Sequence, residues 1–162
     1  MKRSSMNRFT AILALLAGTL AQAASAAPAP DSDQALVERG RYLARIAGCN
    51  DCHTPGYNQA AGKVPESQWL TGDRLGWRGP WGTTYASNLR LYVAGISEKQ
   101  WLQRVATLQS RPPMPYFSLQ AMSERDLRAL YRFVRALGPA GEPAPAWLPP
   151  DKVPPMPYAQ FP

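Results

Sequence analysis

Apolar residues fall at helical spacing in three stretches of the chain. From 33 to 48, Leu36, Val37, Leu43, Ile46 and Ala47 share one face, with Ser32 or Asp33 placed to cap the start; this predicts a first helix. Gly40 inside it costs about 1 kcal/mol relative to Ala, so another backbone is expected to pass close there. A second helix is predicted from 97 to 108. Ser97 and Gln100 form a capping box, and Trp101, Leu102, Val105 and Leu108 make the apolar face. The clearest pattern runs from 123 to 137. Ser123 and Asp126 read as a capping box, Leu127, Leu130, Tyr131, Val134 and Leu137 line one side, and Gly138–Pro139 stop the helix. Arg125, Arg128, Arg132 and Arg135 lie opposite, as a solvated face or a docking patch for an acidic partner.

Elsewhere the periodicity fails. Residues 54–95 interleave Gly and Pro with Trp69, Trp77, Trp81 and Tyr85. A structureless loop of that length is unusual in a compact domain, and aromatics wrapped around something large would account for it. From Pro139 onward the chain is proline-rich, which predicts an extended tail over the domain or over a partner. No strand-rich region stands out, so the expected fold class is all-α with long loops and a Pro-rich C-terminal tail. The start differs again. Lys2, Arg3 and Arg8 precede an apolar run from Phe9 to Leu20, followed by the small-residue sites Ala21–Gln22–Ala23 and Ala24–Ser25–Ala26. These are the three parts of a secretory signal peptide, and the run is too short for the roughly 20 residues of a membrane span. The expected organisation is a signal peptide over 1–26, a domain over 27–138 and an extension over 139–162. It implies export to the periplasm with no membrane span after cleavage.

Charge changes the picture little. The net charge of +7 falls to about +4 without the signal's three cations, which removes most of the support for nucleic-acid binding. Cysteine and histidine change it a great deal. There are 2 Cys and 1 His in 162 residues, too few for a disulfide scaffold or a His-rich metal cluster. All three stand together as Cys49–Asn50–Asp51–Cys52–His53, the C-x-x-C-H pattern of haem c attachment. Thiols at this spacing add to the two vinyl groups of one porphyrin, and the adjacent imidazole reaches the iron. A thioredoxin-type dithiol would want a preceding strand, where a helix is predicted. A zinc site would need further thiolates or imidazoles. A disulfide would leave His53 unexplained. One covalent haem c, with Cys49 and Cys52 as thioethers and His53 as proximal ligand, is the expectation.

With one histidine, the second axial ligand falls to a methionine, a soft partner that raises the potential. Met114, Met122 and Met156 remain after the signal. Met122 precedes the Ser123 cap and is placed to staple onto Leu127. Met114 and Met156 share the pentapeptide Pro-Pro-Met-Pro-Tyr. Met114 sits between two predicted helices in a loop stiffened by Pro112, Pro113 and Pro115, whereas Met156 lies in the tail. Met114 is the favoured distal ligand.

From about Ala35 to Leu137 the chain resembles a class I, mono-haem c-type cytochrome. The likeness rests on Gly40–Arg41–Tyr42–Leu43–Ala44 leading into Cys49, Cys52 and His53, on Met114–Pro115, and on the terminal helix. It looks closest to small proteobacterial periplasmic cytochromes and to haem domains of dehydrogenase cytochrome subunits, some of which carry Asn-Ile-Thr-Pro where Asn88–Leu89–Arg90 stands here. The resemblance implies three to five helices around one haem, with the terminal helices crossing near Gly40 and Tyr131. It implies electron transfer between a redox donor and acceptor, for instance a periplasmic dehydrogenase and an oxidase, rather than catalysis. The chain would act as a free carrier, as a monomer or as a subunit fixed in a complex; an open-site haem enzyme or gas sensor is the remaining alternative. Arg78, Trp77, Trp81, Tyr85 and Arg90 are candidate propionate donors. The Pro65 carbonyl is a candidate partner for His53 Nδ1, and Tyr116, Leu102 and Leu119 are candidates to line the crevice.

Overall fold

The computed structural model describes residue 29 and residues 32–162; the expected signal peptide over 1–26 lies outside the described residues. Helix α1 spans Asp33–Ile46, α2 Cys49–His53, α3 Leu89–Ala94, α4 Glu98–Ala106, α5 Tyr116–Gln120 and α6 Glu124–Leu137. Strands β1 (Gly76–Gly79), β2 (Gly82–Tyr85) and β3 (Tyr158–Gln160) complete the architecture.

The two long helices form where their caps and apolar faces predict them. Ser32 accepts from Ala35 N, and Ser123 accepts from Asp126 N. Gly48, at φ 73° in the left-handed region, ends α1 sooner than expected and turns the chain into α2. Helix α4 carries the full Ser97–Gln100 capping box and ends short of Leu108. At that end the Gln120 amide donates to the carbonyls of Val105 and Leu108, at 3.2 and 3.0 Å.

The core lies between α1 and α6, the most extensively packed pair of elements. Leu36, Leu43 and Ala44 of α1 bury against Leu127, Ala129, Leu130 and Phe133 of α6, with Trp69, Val93, Trp101 and Val105 closing the sides. Each large apolar side chain buried in this way contributes about 2 kcal/mol. A Cβ at Gly40 would stand 2.0 Å from the Ala129 carbonyl oxygen and 2.6 Å from Phe133 Cβ, which is the close backbone approach expected there. Its partners are Ala129 and Phe133 rather than Tyr131, whose hydroxyl instead donates to Ile96 O at 2.9 Å.

The arginine stripe binds its own chain. Arg128 and Arg132 both pair with Glu98 of α4, at 3.1 and 2.5 Å, and Arg132 reaches Asp33 of α1 at 2.9 Å. Arg135 donates to the Ala94 carbonyl. These contacts tie α6 to α1, α3 and α4.

The expectation of an all-α fold is corrected by the three-stranded sheet, ordered β2-β1-β3. Strands β1 and β2 form an antiparallel hairpin, and β3 adds in parallel to β1. The strands have four, four and three residues, too short for alternation to show, and β3 lies within the proline-rich tail. The chain from 139 onward is therefore woven into the fold. Gly76 N donates to Pro157 O, Phe161 N to Arg78 O, and Thr83 and Leu148 exchange two backbone bonds. Among the described residues six α-helices form rather than three to five, because α2, α3 and α5 are too short for periodicity to reveal.

Candidate functional site

Cys49, Cys52 and His53 occupy positions i, i+3 and i+4 of α2, so they share one helix face. That face forms one wall of a cavity of about 1050 Å³. The rest of the lining comes from Trp101, Arg104 and Val105 of α4, from Leu130 and Val134 of α6, from residues 84–87, and from the loop that carries Arg111, Pro113 and Met114. Pro145 and Trp147 reach it from the tail. The two cysteines are free thiols rather than a disulfide. Burial raises the Cys49 thiol to about 11, and burial also raises Cys52.

His53 is buried and fixed twice. Its carbonyl accepts from Gly72 N at 2.8 Å, and its Nδ1 lies 2.7 Å from the Ser87 carbonyl. A carbonyl only accepts, so Nδ1 carries the proton and Nε2 keeps the lone pair that can take a metal. Burial lowers the imidazole's pKa, with the Ser87 bond opposing, so the ring is held neutral as a ligand must be. The expected Pro65 carbonyl is not the partner: it accepts from Gln68 N. Ser87 O is positioned because Asn88 beside it is anchored. The Asn88 side chain caps α3 at Leu91 N and donates to Ala140 O and Glu142 O.

Of the methionines, Met114 and Met122 line the cavity, and Met122 also packs against the hydrophobic core. Met156 is 75% exposed and takes no part in the lining. Among the candidate propionate donors, Trp77 and Tyr85 line the cavity. Arg90 does not: its guanidinium donates to the carbonyls of Gly138 (2.5 Å), Ser67 (2.7 Å) and Leu137, capping the end of α6. Arg78 sits on β1 away from the cavity. Trp81 donates its ring N–H to Trp77 O and packs on Phe161. Leu119 lines the cavity, whereas Leu102 and Tyr116 do not.

The residues present fit a haem. Trp77 Nε1 is a buried donor without a partner, on the wall of a cavity whose lining holds Arg104 and Arg111 and no carboxylate. An anionic group there would satisfy the orphaned donor and meet the field of two cations. Arg104 and Arg111 went unread in the sequence, as did Trp147. Nothing in local periodicity marks them, because only the tertiary fold brings 104, 111 and 147 to one cavity. Among the described residues no group of three or more His, Cys, Asp or Glu side chains stands ready to hold a metal by itself.

Comparison with known proteins points to the same chemistry. The chain is 31% identical over 147 residues to the cytochrome c subunit of a quinone alcohol dehydrogenase of Gluconacetobacter polyoxogenes, covering 82% of this chain and 28% of that one. It is 33% identical over 145 residues to the gluconate 2-dehydrogenase cytochrome c subunit of Pantoea cypripedii, covering 81% and 30%. It is 28% identical over 153 residues to the fructose dehydrogenase cytochrome subunit of Gluconobacter japonicus, covering 87% and 29%. The chain thus spans less than a third of the length of these relatives. No family model matches it, and no solved structure matches it. The relatives are cytochrome subunits of dehydrogenases even though Asn88–Leu89–Arg90 departs from Asn-Ile-Thr-Pro, and the likeness supports a c-type cytochrome domain. No described helix is long and apolar enough to cross a membrane.

Proposed function

We propose that the chain is a mono-haem c-type cytochrome that passes single electrons between redox proteins in the periplasm. The observation that carries this reading is one cavity with Cys49, Cys52 and His53 on one wall and Met114 on another. Haem, when bound, supplies reversible one-electron chemistry at its iron. The chain supplies the rest. Cys49 and Cys52 hold the group as thioethers, which removes two thiols that burial keeps protonated. His53 offers Nε2, oriented through Ser87 O, and Met114 offers its thioether from the far side. With His53 and Met114 both holding the haem, no position would remain open to a substrate, so the role would be electron transfer rather than bond-making. Leu130, Val134, Trp101 and Val105 exclude water from the apolar faces, and Trp77 Nε1 is placed to hold an acidic edge.

The relatives' names favour a subunit that serves a dehydrogenase, which would be the electron donor; the acceptor would be a second redox protein. A rate of reduction by that dehydrogenase that is insensitive to salt marks a fixed subunit, and a steep fall with salt marks a free carrier. The ligand assignment is tested by the weak near-infrared band that Met–Fe(III) ligation gives in the oxidised protein. Met114→Ala is expected to abolish it, with Met122→Ala and Met156→Ala leaving it in place. Loss of the band in either of those, and not in Met114→Ala, overturns the assignment.

A further inference from the structure

A side-chain pair joins the C-terminal extension to the Met114 loop. Arg111 lays its guanidinium over the Trp147 ring, 4.2 Å from the ring centroid. Trp147 is itself anchored. Its Nε1 donates to the Trp81 carbonyl at 3.0 Å, and the neighbouring Leu148 exchanges backbone bonds of 2.8 and 3.0 Å with Thr83. Gly82 permits this approach, since a Cβ there would stand 2.2 Å from Leu148 O and 2.8 Å from Trp147 Nε1. On the same strand, Thr84 Oγ1 donates to Pro112 O at 2.7 Å. Residues 111 and 112 are therefore both secured to the β1–β2 hairpin, one through the tail and one directly. Trp147 and Met114 line the same cavity.

We propose that Trp147 is a positioning residue for Met114. With Arg111 it clamps the loop so that the thioether stays at the cavity, and the tail sets how often that ligand position opens. The inference rests on Met114 being the distal ligand. A loop outside helix or strand must be ordered at an entropic cost to present one side chain. The prolines reduce that cost, and the Arg111–Trp147 contact supplies an attraction that exists only in the closed arrangement. A cation over a tryptophan face shifts such an open–closed equilibrium by roughly fivefold. The extension then has a function in the haem site.

The test is the rate at which carbon monoxide binds the reduced, haem-loaded protein, which reads the fraction of time the position opposite His53 is open. Trp147→Ala and Arg111→Gln are each expected to raise the rate roughly fivefold. The double variant should be no faster than either single, because both break one contact. Trp147→Phe, which keeps an aromatic face, should restore most of the wild-type rate. Arg111 is exposed and outside every helix and strand, so Arg111→Gln carries the test should Trp147→Ala fail to fold. Unchanged rates in the single variants, or effects that multiply in the double, overturn the clamp. Met114→Ala run alongside separates the two ideas. Fast binding there with a wild-type rate in Arg111→Gln sinks the clamp alone, whereas slow binding in Met114→Ala overturns the ligand assignment and the clamp with it.

Discussion

The two walls of the cavity are built in opposite ways. On the cysteine wall, Cys49, Cys52 and His53 sit within five consecutive residues on one helix face, behind which α1 and α6 cross at Gly40. On the methionine wall, residues from β2, from the loop before α5 and from the tail meet through single contacts: Thr84 to Pro112, Arg111 to Trp147, and Thr83 to Leu148. The first wall is rigid because its candidate ligands share a helix, and that helix follows directly from α1, itself packed against α6. The second is adjustable because each contact joins segments distant in sequence and none is buried in the main core. Under the proposed ligation, this difference would give the site one permanent and one tunable ligand.

The largest expected effect breaks the first wall. Removing both thiols, Cys49→Ala with Cys52→Ala, should leave no haem on the polypeptide after denaturing electrophoresis, as read by a haem stain. Met114→Ala should leave the stain at full strength, since the methionine wall makes no covalent bond. A stained band in the double cysteine variant would refute the attachment chemistry.

A pair of glycines sharpens the contrast at the next level. Gly40→Ala drives a methyl into the Ala129 carbonyl, 2.0 Å away, at the centre of the helix crossing. Its cost should be about 3 kcal/mol, and the midpoint of urea unfolding should fall for the whole domain. Gly82→Ala is crowded to a similar degree, with Leu148 O 2.2 Å from the added methyl and a backbone at φ 92°. Yet what it displaces is the tail. Expected there is early proteolysis between 139 and 162, with the helical unfolding midpoint changed far less, as for a local opening. Equal losses of global stability in the two variants would mean that the walls are not independent.

The same division decides what could be read from the sequence. The helices behind the cysteine wall announce themselves: α6 has a continuous apolar stripe and a serine cap, and Gly40 in a helical pattern marks a close backbone contact. The C-x-x-C-H residues are contiguous, so no fold is needed to bring them together. The methionine wall leaves almost no such trace. Four-residue strands are too short for alternation, and a three-residue strand among prolines reads as tail. The partner of His53 is a backbone carbonyl, and a carbonyl has no residue type to recognise, so nothing in the sequence singles out Ser87 over the expected Pro65. Arg90 shows the converse error. Its charge suggests an anionic ligand, whereas the fold uses it on two carbonyls at the end of α6 and on that of Ser67, a role that depends on the chain around Gly138 returning to α3.

The smallest expected effect lies in the ion pair that ties the helices behind the cysteine wall. Arg39 Nε of α1 lies 2.9 Å from Asp126 Oδ1 of α6. The hydrogen bond from Arg39 holds the Asp126 carboxyl below its ordinary range, with Ser123 assisting and desolvation opposing. A carboxyl whose pKa is lower folded than unfolded binds fewer protons in the native state. Its stabilisation is therefore complete above the unfolded value of about 3.9 and is lost as pH falls through the depressed native value. Arg39→Gln should lower the urea midpoint slightly at neutral pH, and the gap to wild type should close in acid. Salt should narrow the gap as well, because the arginine is 41% exposed and such pairs are screened. A gap that persists unchanged at about pH 2 would mean that Arg39 acts by packing its stem against Tyr42, over whose ring its guanidinium also lies at 5.5 Å. The binding of carbon monoxide should not respond to this change, because Arg39 and Asp126 touch only the scaffold of the covalent wall.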